Sequence, residues 1–288
     1  MENLPDTITQ AKTPIQIDLI LGGGAFNGGY ILGALYFLKE LERKNLVVVR
    51  RISTCSISSI LGLLYLTDNL DKANELYLDI LQDFKDKGNL SKLFECKQLF
   101  SPYVSDEDCP ALGKRLYISY HNIRSCKKRV KYRFVNTDEL FETITRSCFV
   151  PFMIDYTPAY KDTYIDGILP HWFPSSRWRT RLYVNVYTTD KLAYTINVKN
   201  EKNNYHRLFE GMLDIHEYFI KKTNTTMCSN VDCWGLYQYG LYYMYTVLEK
   251  VVVYLIYLIL LTKTHLSLKS YKLAIEYSIK TLLRVFCF

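Results

Sequence analysis

A serine stands where an apolar strand candidate gives way to an apolar helix candidate. Ser56 lies in Thr54-Cys55-Ser56-Ile57-Ser58, which follows the apolar run 47–49 and two arginines and precedes the apolar run 60–66. A sharp strand-to-helix turn of this kind can expose a serine hydroxyl as a nucleophile, in the spacing G-x-S-x-G, but Thr54 and Ser58 replace both glycines. A serine at the end of a strand is also typical of an ordinary helix cap. The segment therefore predicts either a nucleophile elbow or a simple cap.

A glycine-rich turn earlier in the chain could bind an anion. The apolar run 15–21 stops at Gly22-Gly23-Gly24 and resumes as the run 30–41, which predicts a strand, a turn and a helix. Glycines leave backbone N–H groups uncovered, and the start of the following helix adds unpaired donors. The dinucleotide pattern G-x-G-x-x-G fails, because Asn27 occupies its third glycine position and no acidic residue ends the second strand. An anion site and a purely structural turn both remain open.

The elements that would position these turns alternate between strands and helices. Helical spacing predicts an amphipathic helix over 70–84 and another helix over 138–148, which ends before Pro151. Further strand candidates, recognised by alternating or β-branched residues, lie at 130–134, 163–165, 182–188 and 193–198. Strands separated by helices favour an α/β sandwich with a mostly parallel sheet.

Composition bounds the class of protein. The 288 residues are 49% hydrophobic, which is enough for one main domain, and we expect an appended C-terminal part. The formal charge of +7 is spread over 36 basic and 29 acidic residues, so we expect no nucleic-acid partner. The cysteines and histidines show no metal-ligand spacing, so no metal or other cofactor is expected. Residues 1–14 lack the apolar run of a secretory signal, which favours an intracellular protein with reduced thiols.

Four short sequence blocks, taken in their order along the chain, indicate a family resemblance. The block from Gly22 to Leu35 and the serine elbow are followed by Thr145 to Phe152, and then by Tyr164-Ile165-Asp166-Gly167-Ile168 with Phe173-Pro174. In this order they resemble the blocks of the patatin-like phospholipase family, over roughly residues 15 to 190. The resemblance implies a three-layer α/β/α sandwich with a mostly parallel central sheet.

The resemblance also implies a reaction. Ser56 would be the nucleophile and Asp166 its base in a Ser-Asp dyad, which would hydrolyse a phospholipid or another lipid ester through an acyl-enzyme, as a phospholipase A-type acyl hydrolase. Backbone N–H groups of Gly23, Gly24 and Ala25 would form the oxyanion hole. The chain departs from the family pattern at Asn27, Thr54, Ser58 and Ile168, and His171 or Trp172 stands near the family's usual Asn. A catalytically impaired relative that acts as a binding or membrane-associated module is therefore the alternative expectation.

The expected organisation is an N-terminal tail at 1–14, a patatin-like domain at 15–200 and a C-terminal helical extension at 201–288. Within the extension, the run 236–261 is apolar, but its uninterrupted part, 251–261, is shorter than the roughly 20 residues that cross a bilayer core. Packing onto the protein core is the first expectation for this run. Attachment to a membrane interface and a true span are the alternatives.

A basic cluster precedes the strand candidate at 130–134. Six cations fall within ten residues, at Arg124, Lys127, Lys128, Arg129, Lys131 and Arg133. Such a cluster is typical of a solvated loop and strand face, and alternatively of a contact with anionic lipid. Together with the helical extension, it leads us to expect a cytoplasmic or peripherally membrane-associated protein with a membrane surface as partner.

Overall fold

The computed structural model describes residues 13–199, 201–263 and 268–286, and residues 1–12 of the expected N-terminal tail lie outside them. Within this part of the chain, seven strands form one sheet. They are β1 Ile15–Leu21, β2 Val47–Cys55, β3 Leu116–Asn122, β4 Lys127–Lys131, β5 Tyr164–Asp166, β6 Thr180–Val184 and β7 Cys228–Asn230. Their order is β4-β3-β2-β1-β6-β7, with β5 also paired to β3.

The sheet is mixed. Four central strands are parallel to one another, namely β1, β2, β3 and β6. The other three strands are antiparallel to their partners: β4 and β5 pair with β3, and β7 pairs with β6. The α/β class is confirmed, but the expectation of a mostly parallel sheet is wrong. A tight hairpin through Ile123–Ser125, with Cys126 at φ 48°, returns the chain from β3 to β4. The short strand β7 pairs in the antiparallel sense at the other edge of the sheet, and β5 pairs in the same sense with β3 beyond the end of β2.

Helices account for most of the remaining described chain. They are α1 Gly28–Arg43, α2 Ile57–Leu66, α3 Lys72–Lys87, α4 Cys96–Phe100, α5 Cys109–Leu112, α6 Thr137–Ser147, α7 Thr189–Leu192, α8 Tyr205–Lys221, α9 Leu236–Lys263 and α10 Leu268–Phe286. The helices predicted over 70–84 and 138–148 are confirmed as α3 and α6. Gly88 ends α3 at φ 68°, and the Asn136 side chain caps α6 by accepting the N–H of Glu139 at 2.9 Å.

One strand predicted from the sequence, at 193–198, does not form. The carbonyl oxygen of Thr195 accepts the N–H of Phe26 at 3.1 Å, and its Oγ1 accepts Nδ2 of Asn27 at 3.1 Å. This segment therefore bonds to the glycine turn instead of to the sheet. The strand predicted at 130–134 forms earlier in the chain, as β4, because the preceding hairpin sets its register.

Successive side chains of β1 face two different cores. Leu19 and Leu21 pack in the main core with side chains of α1, α2, α3, α6 and α8. Ile20 points to the opposite face of the sheet and packs with Phe173 and Tyr183. The main helices thus cover one face, while loop residues and part of α9 cover the other.

Helix α9 lies on this second side and is mostly exposed. The window Leu236–Thr262 is long and apolar enough to cross a membrane by length and composition alone, and 17% of it is buried. Tyr242 contacts Trp172 with ring centroids 4.6 Å apart, and farther along the helix Val253 and Ile256 pack against Ile123. The expected packing onto the core therefore applies to one narrow stripe of the helix.

Candidate active site

Ser56 lies in a strained turn between β2 and α2. Its backbone has φ 57° and ψ −140°, a combination that non-glycine residues rarely adopt, and its side chain makes no helix-capping hydrogen bond. The N–H of Ser56 donates to Oγ of Ser147 at 3.0 Å, and that hydroxyl donates to the carbonyl oxygen of Ser119 at 2.7 Å. These buried bonds hold the turn, so its geometry is that of an elbow and not of a relaxed cap.

The two residues that replace the elbow glycines are accommodated by their neighbours. Thr54 points a methyl group at Gly62, where an added Cβ would lie only 2.8 Å from that methyl. Ser58 Oγ donates to the carbonyl oxygen of Cys55 at 2.7 Å and accepts the N–H of Cys55 at 3.0 Å. Ser58 thereby ties the end of β2 to the first turn of α2, and both substitutions are compatible with the elbow.

Strand β5 brings Asp166 next to the elbow. β2 pairs with β3 up to Ser119, and β5 pairs with β3 from Tyr120 onward. Because β4 occupies the other edge of β3, β5 takes the position that a longer β2 would fill. Asp166 therefore lies just beyond Cys55 in space. A Cβ added to Gly167 would lie 2.9 Å from Cβ of Cys55, so the approach is close.

The carboxyl group of Asp166 is almost fully buried and faces the Ser56 hydroxyl. Its Oδ1 accepts the N–H of Ile168 at 2.7 Å, whereas its Oδ2 has no well-aligned hydrogen-bond partner within the described part of the chain. Burial raises the pKa of Asp166 to about 6. Hydrogen bonds from Ser56 and Ile168 and the positive charge of Lys128 lower this pKa, whereas the negative charge of Glu249 raises it further. A carboxylate with a free oxygen beside a hydroxyl, and with a pKa below neutrality, suits a general base.

The glycine turn faces the same hydroxyl. A Cβ added to Gly23 would lie 3.0 Å from Cβ of Ser56. Gly24 has φ 141°, a value that glycine adopts far more readily than other residues. The N–H groups of Gly24 and Ala25 donate to no acceptor among the described residues, whereas that of Gly23 bonds to the Cys55 thiol. Two of the three expected donors are therefore unpaired within the described residues, and the oxyanion hole stays a prediction.

An apolar pocket opens beside the elbow. Its cavity volume is about 40 Å³, and Ser56 and Ala25 form part of its lining. Helices α1, α2 and α3 and the loop after α3 supply apolar side chains to it, among them Leu32, Leu61, Leu76, Ile80, Leu90 and Leu93. Such a lining has the apolar character that a hydrocarbon chain requires, but the lining side chains would have to move apart to admit one next to the serine.

A buried ionic cluster lies next to Asp166, and the sequence did not indicate it. Oε1 of Glu249, a residue of α9 that is 6% exposed, lies 2.7 Å from Nζ of Lys128 and 3.6 Å from Nε2 of His121. Nδ1 of His121 lies 3.0 Å from the carbonyl oxygen of Asp166. Burial lowers the pKa of His121, which favours the neutral ring, and the tautomer protonated at Nδ1 can donate to that carbonyl.

The contacts in this cluster explain two features of the sequence, a lysine of the basic cluster and an acidic residue in the apolar run. Lys128 belongs to the basic cluster that was expected to be solvated or to bind lipid, but it is paired with a buried acid. Glu249 is the single acidic residue of the run 236–262. Its isolation in an apolar helix is the one sequence signal that could have pointed to a specific partner, because such an acid requires compensation when it is buried.

Asn27, one of the departures from the family pattern, has a structural role. The residue is fully buried, its Nδ2 donates to the carbonyl oxygen of Lys191 at 2.9 Å, and its Oδ1 accepts from Arg207 at 2.6 Å. Arg207 is itself buried and paired with Glu201 at 2.6 Å. Position 27 therefore links the glycine turn to α8 and presents no positive charge to Ser56.

No protein-family model matches the chain, and a search of curated proteins gives no match. Within residues 13–199, 201–263 and 268–286, no three His, Cys, Asp or Glu residues are grouped so that they could hold a metal ion.

Proposed function

We propose that this protein is a lipid acyl hydrolase of the phospholipase A type, with the three-layer arrangement and chemistry of the patatin-like phospholipases. One observation carries the proposal. A strained serine, Ser56, faces a buried carboxylate, Asp166, beside a narrow pocket lined by apolar side chains. A nucleophile, a base and a hydrocarbon site then meet at one point, which is what cleavage of a lipid ester requires.

The reaction takes place in two balanced halves. Asp166 accepts the proton of the Ser56 hydroxyl as Oγ attacks the ester carbonyl carbon, and the N–H groups of Gly24 and Ala25 donate to the resulting oxyanion. The C–O bond to the alcohol breaks, the alcohol takes the proton from Asp166, and the acyl group stays on Ser56. A water molecule then gives a proton to Asp166 and attacks the acyl-enzyme. Release of the fatty acid returns that proton to Ser56.

The pocket lining supports a long acyl chain as the part of the substrate that is recognised. Its side chains carry no charge, and transfer of each methylene from water into such a site contributes about 0.8 kcal/mol. The alcohol portion of the ester would then lie on the side of Ser56 away from the pocket.

Release of fatty acid from labelled phospholipid by the purified protein tests this function. We expect release by the wild-type protein and none above background by Ser56→Ala, while Ser101→Ala, at an exposed serine far along the chain, keeps wild-type turnover. A Ser56→Ala protein that hydrolyses at the wild-type rate would rule out the proposal.

A lipid-binding module without turnover is the second candidate, and one observation favours it. Ser56 is 5% exposed and Asp166 is 6% exposed, so both groups are nearly closed to solvent. Saturable binding of a fatty acid or lysolipid, with no release of fatty acid from any ester, would favour this candidate over the enzyme.

We also propose that the lipid is met at a membrane surface. The outer side of α9 exposes large apolar side chains, including Leu248 at 51% and Leu255 at 52%. The inner side is held to the protein along the helix, so contact in the plane of the interface accounts for the exposed side chains better than a span does.

A further inference from the structure

We propose that Glu249 of α9 is a positioning residue for the catalytic base. Its carboxylate holds the segment Asp166–Leu169 in the geometry that presents Asp166 to Ser56. This inference rests on the proposed hydrolase function. It makes the C-terminal helix a working part of the site and not an appended extension.

Glu249 reaches the base segment by two routes. Directly, its Oε1 accepts the backbone N–H of Leu169 at 3.2 Å, and the same N–H also donates to the carbonyl oxygen of Gly167 at 2.6 Å. Indirectly, the same oxygen lies 3.6 Å from Nε2 of His121, whose Nδ1 contacts the carbonyl oxygen of Asp166 at 3.0 Å. The two routes meet the segment at both ends, with the strained Ile168 between them.

The segment needs such support because its backbone is unfavourable. Ile168 is β-branched and has φ 54°, a left-handed conformation that persists only when neighbouring contacts fix it. Its N–H donates to Oδ1 of Asp166 at 2.7 Å, and its carbonyl oxygen accepts from Tyr187 Oη at 3.2 Å. The Ile168 conformation thus directs the Asp166 carboxylate, and its relaxation would turn that carboxylate away from the serine.

Packing of α9 against the protein does not by itself explain why the acidic side chain of Glu249 is buried. Apolar side chains such as Val253 and Ile256 already attach the helix, and burial of a carboxylate is unfavourable unless specific partners satisfy it. Lys128 supplies the compensating charge at 2.7 Å. Glu249 therefore bonds to the base segment, and Lys128 neutralises the charge of the Glu249 carboxylate.

Steady-state kinetics with a soluble ester provide the first test. Glu249→Ala should lower kcat by about 10- to 100-fold, because a misplaced base slows the chemical step, with KM changed by less than about twofold. Glu249→Gln keeps an oxygen acceptor for Leu169 and should restore most of kcat. Lys250→Ala removes the neighbouring exposed charge on the same helix and should leave kcat unchanged. Wild-type kcat in Glu249→Ala, or an equal loss in Lys250→Ala, would overturn the proposal.

Hydrogen exchange gives a test that does not depend on turnover. The amide of Leu169 should exchange faster in Glu249→Ala than in the wild-type and Lys250→Ala proteins, while amides of β1 keep their protection and show that the variant is folded. Unchanged exchange at Leu169 in folded Glu249→Ala would overturn the positioning role. A wild-type protein without esterase activity would instead count against the hydrolase, and the exchange result would still decide the role of Glu249.

Discussion

The pKa of Asp166 links one residue to the pH dependence of the whole reaction. In the proposed reaction Asp166 acts as a base in its ionised form, so kcat/KM should rise with pH through an apparent pKa of about 6. Lys128→Ala removes a charge that lowers this pKa, so its acidic limb should move to higher pH. Glu249→Gln removes a charge that raises it, so the limb should move to lower pH.

Rates with a soluble ester between about pH 4 and pH 9 measure these limbs. The wild type and both variants keep the other polar or titratable groups that face this carboxyl. These groups come from the elbow, β3 and the loop after β6, and they are Cys55, Ser56, His121 and Tyr187. The same limb in the wild type and both variants would contradict the assignment of Asp166 as the titrating base.

Burial of Asp166 should also reduce stability at neutral pH. Its folded-state pKa of about 6 exceeds the 3.8 of a free carboxyl, so ionisation opposes folding above about pH 6, and this penalty disappears below about pH 4. Asp166→Asn should therefore raise the free energy of unfolding by up to about 3 kcal/mol at pH 7, and by much less near pH 4. Urea unfolding at the two pH values measures it, with Asp86→Asn on the exposed side of α3 as control. A loss of stability at pH 7 would argue against the unfavourable burial.

At the scale of elements, the pocket between α1, α2 and α3 should set acyl-chain length. Ala73 is 3% exposed and lines that pocket. Ala73→Leu fills part of it, so the ratio of kcat/KM for long-chain over short-chain esters should fall by about 10-fold or more. Ala111→Leu adds the same atoms at an exposed site in α5 and should leave the ratio unchanged. An unchanged ratio in Ala73→Leu would place the acyl chain elsewhere.

The sequence was sufficient to locate elements that local patterns define. The glycine turn after β1 and the serine turn after β2 were both found, because apolar runs on either side of each turn differ in length and periodicity. Asp166, in contrast, entered through a resemblance, since only pairing of β5 beyond the end of β2 brings it to Ser56. The predicted strand at 193–198 failed because Thr195 bonds to Phe26, a contact across the chain that no local pattern contains.

The buried cluster at Glu249 illustrates the same limit more strongly. His121, Lys128 and Glu249 come from three elements, and the last is separated from the others by more than a hundred residues. Charge patterning assigned Lys128 to a solvated or lipid-binding cluster, because a sequence shows that a cation is present but not which acid it meets.

At the scale of the whole molecule, α9 faces the candidate active site on one side and solvent on the other. Leu248, Val252 and Leu255 follow helical spacing and are 42–52% exposed. Leu248→Ser with Leu255→Ser should weaken co-sedimentation with phospholipid vesicles by about 10-fold or more, because less apolar area enters the interface. Leu213→Ser, at a 65% exposed leucine of α8, should have no effect.

The same experiment separates the ways in which α9 could meet a membrane. Release of the protein from vesicles by carbonate is expected for a helix that lies in the interface, whereas retention until detergent is added would indicate a span. Equal sedimentation of the double variant and the wild type would contradict any contact through this side of α9.

The central claim is that Ser56 carries the acyl group between the two halves of the reaction. Mass spectrometry of peptides from protein quenched in acid during turnover of a long-chain phospholipid tests it most directly. We expect the mass of the acyl chain on the peptide that contains Ser56 in the wild-type protein, and no adduct in Ser56→Ala or Asp166→Asn. Release of fatty acid without an adduct on Ser56, or with the acyl group on Cys55, would contradict the account.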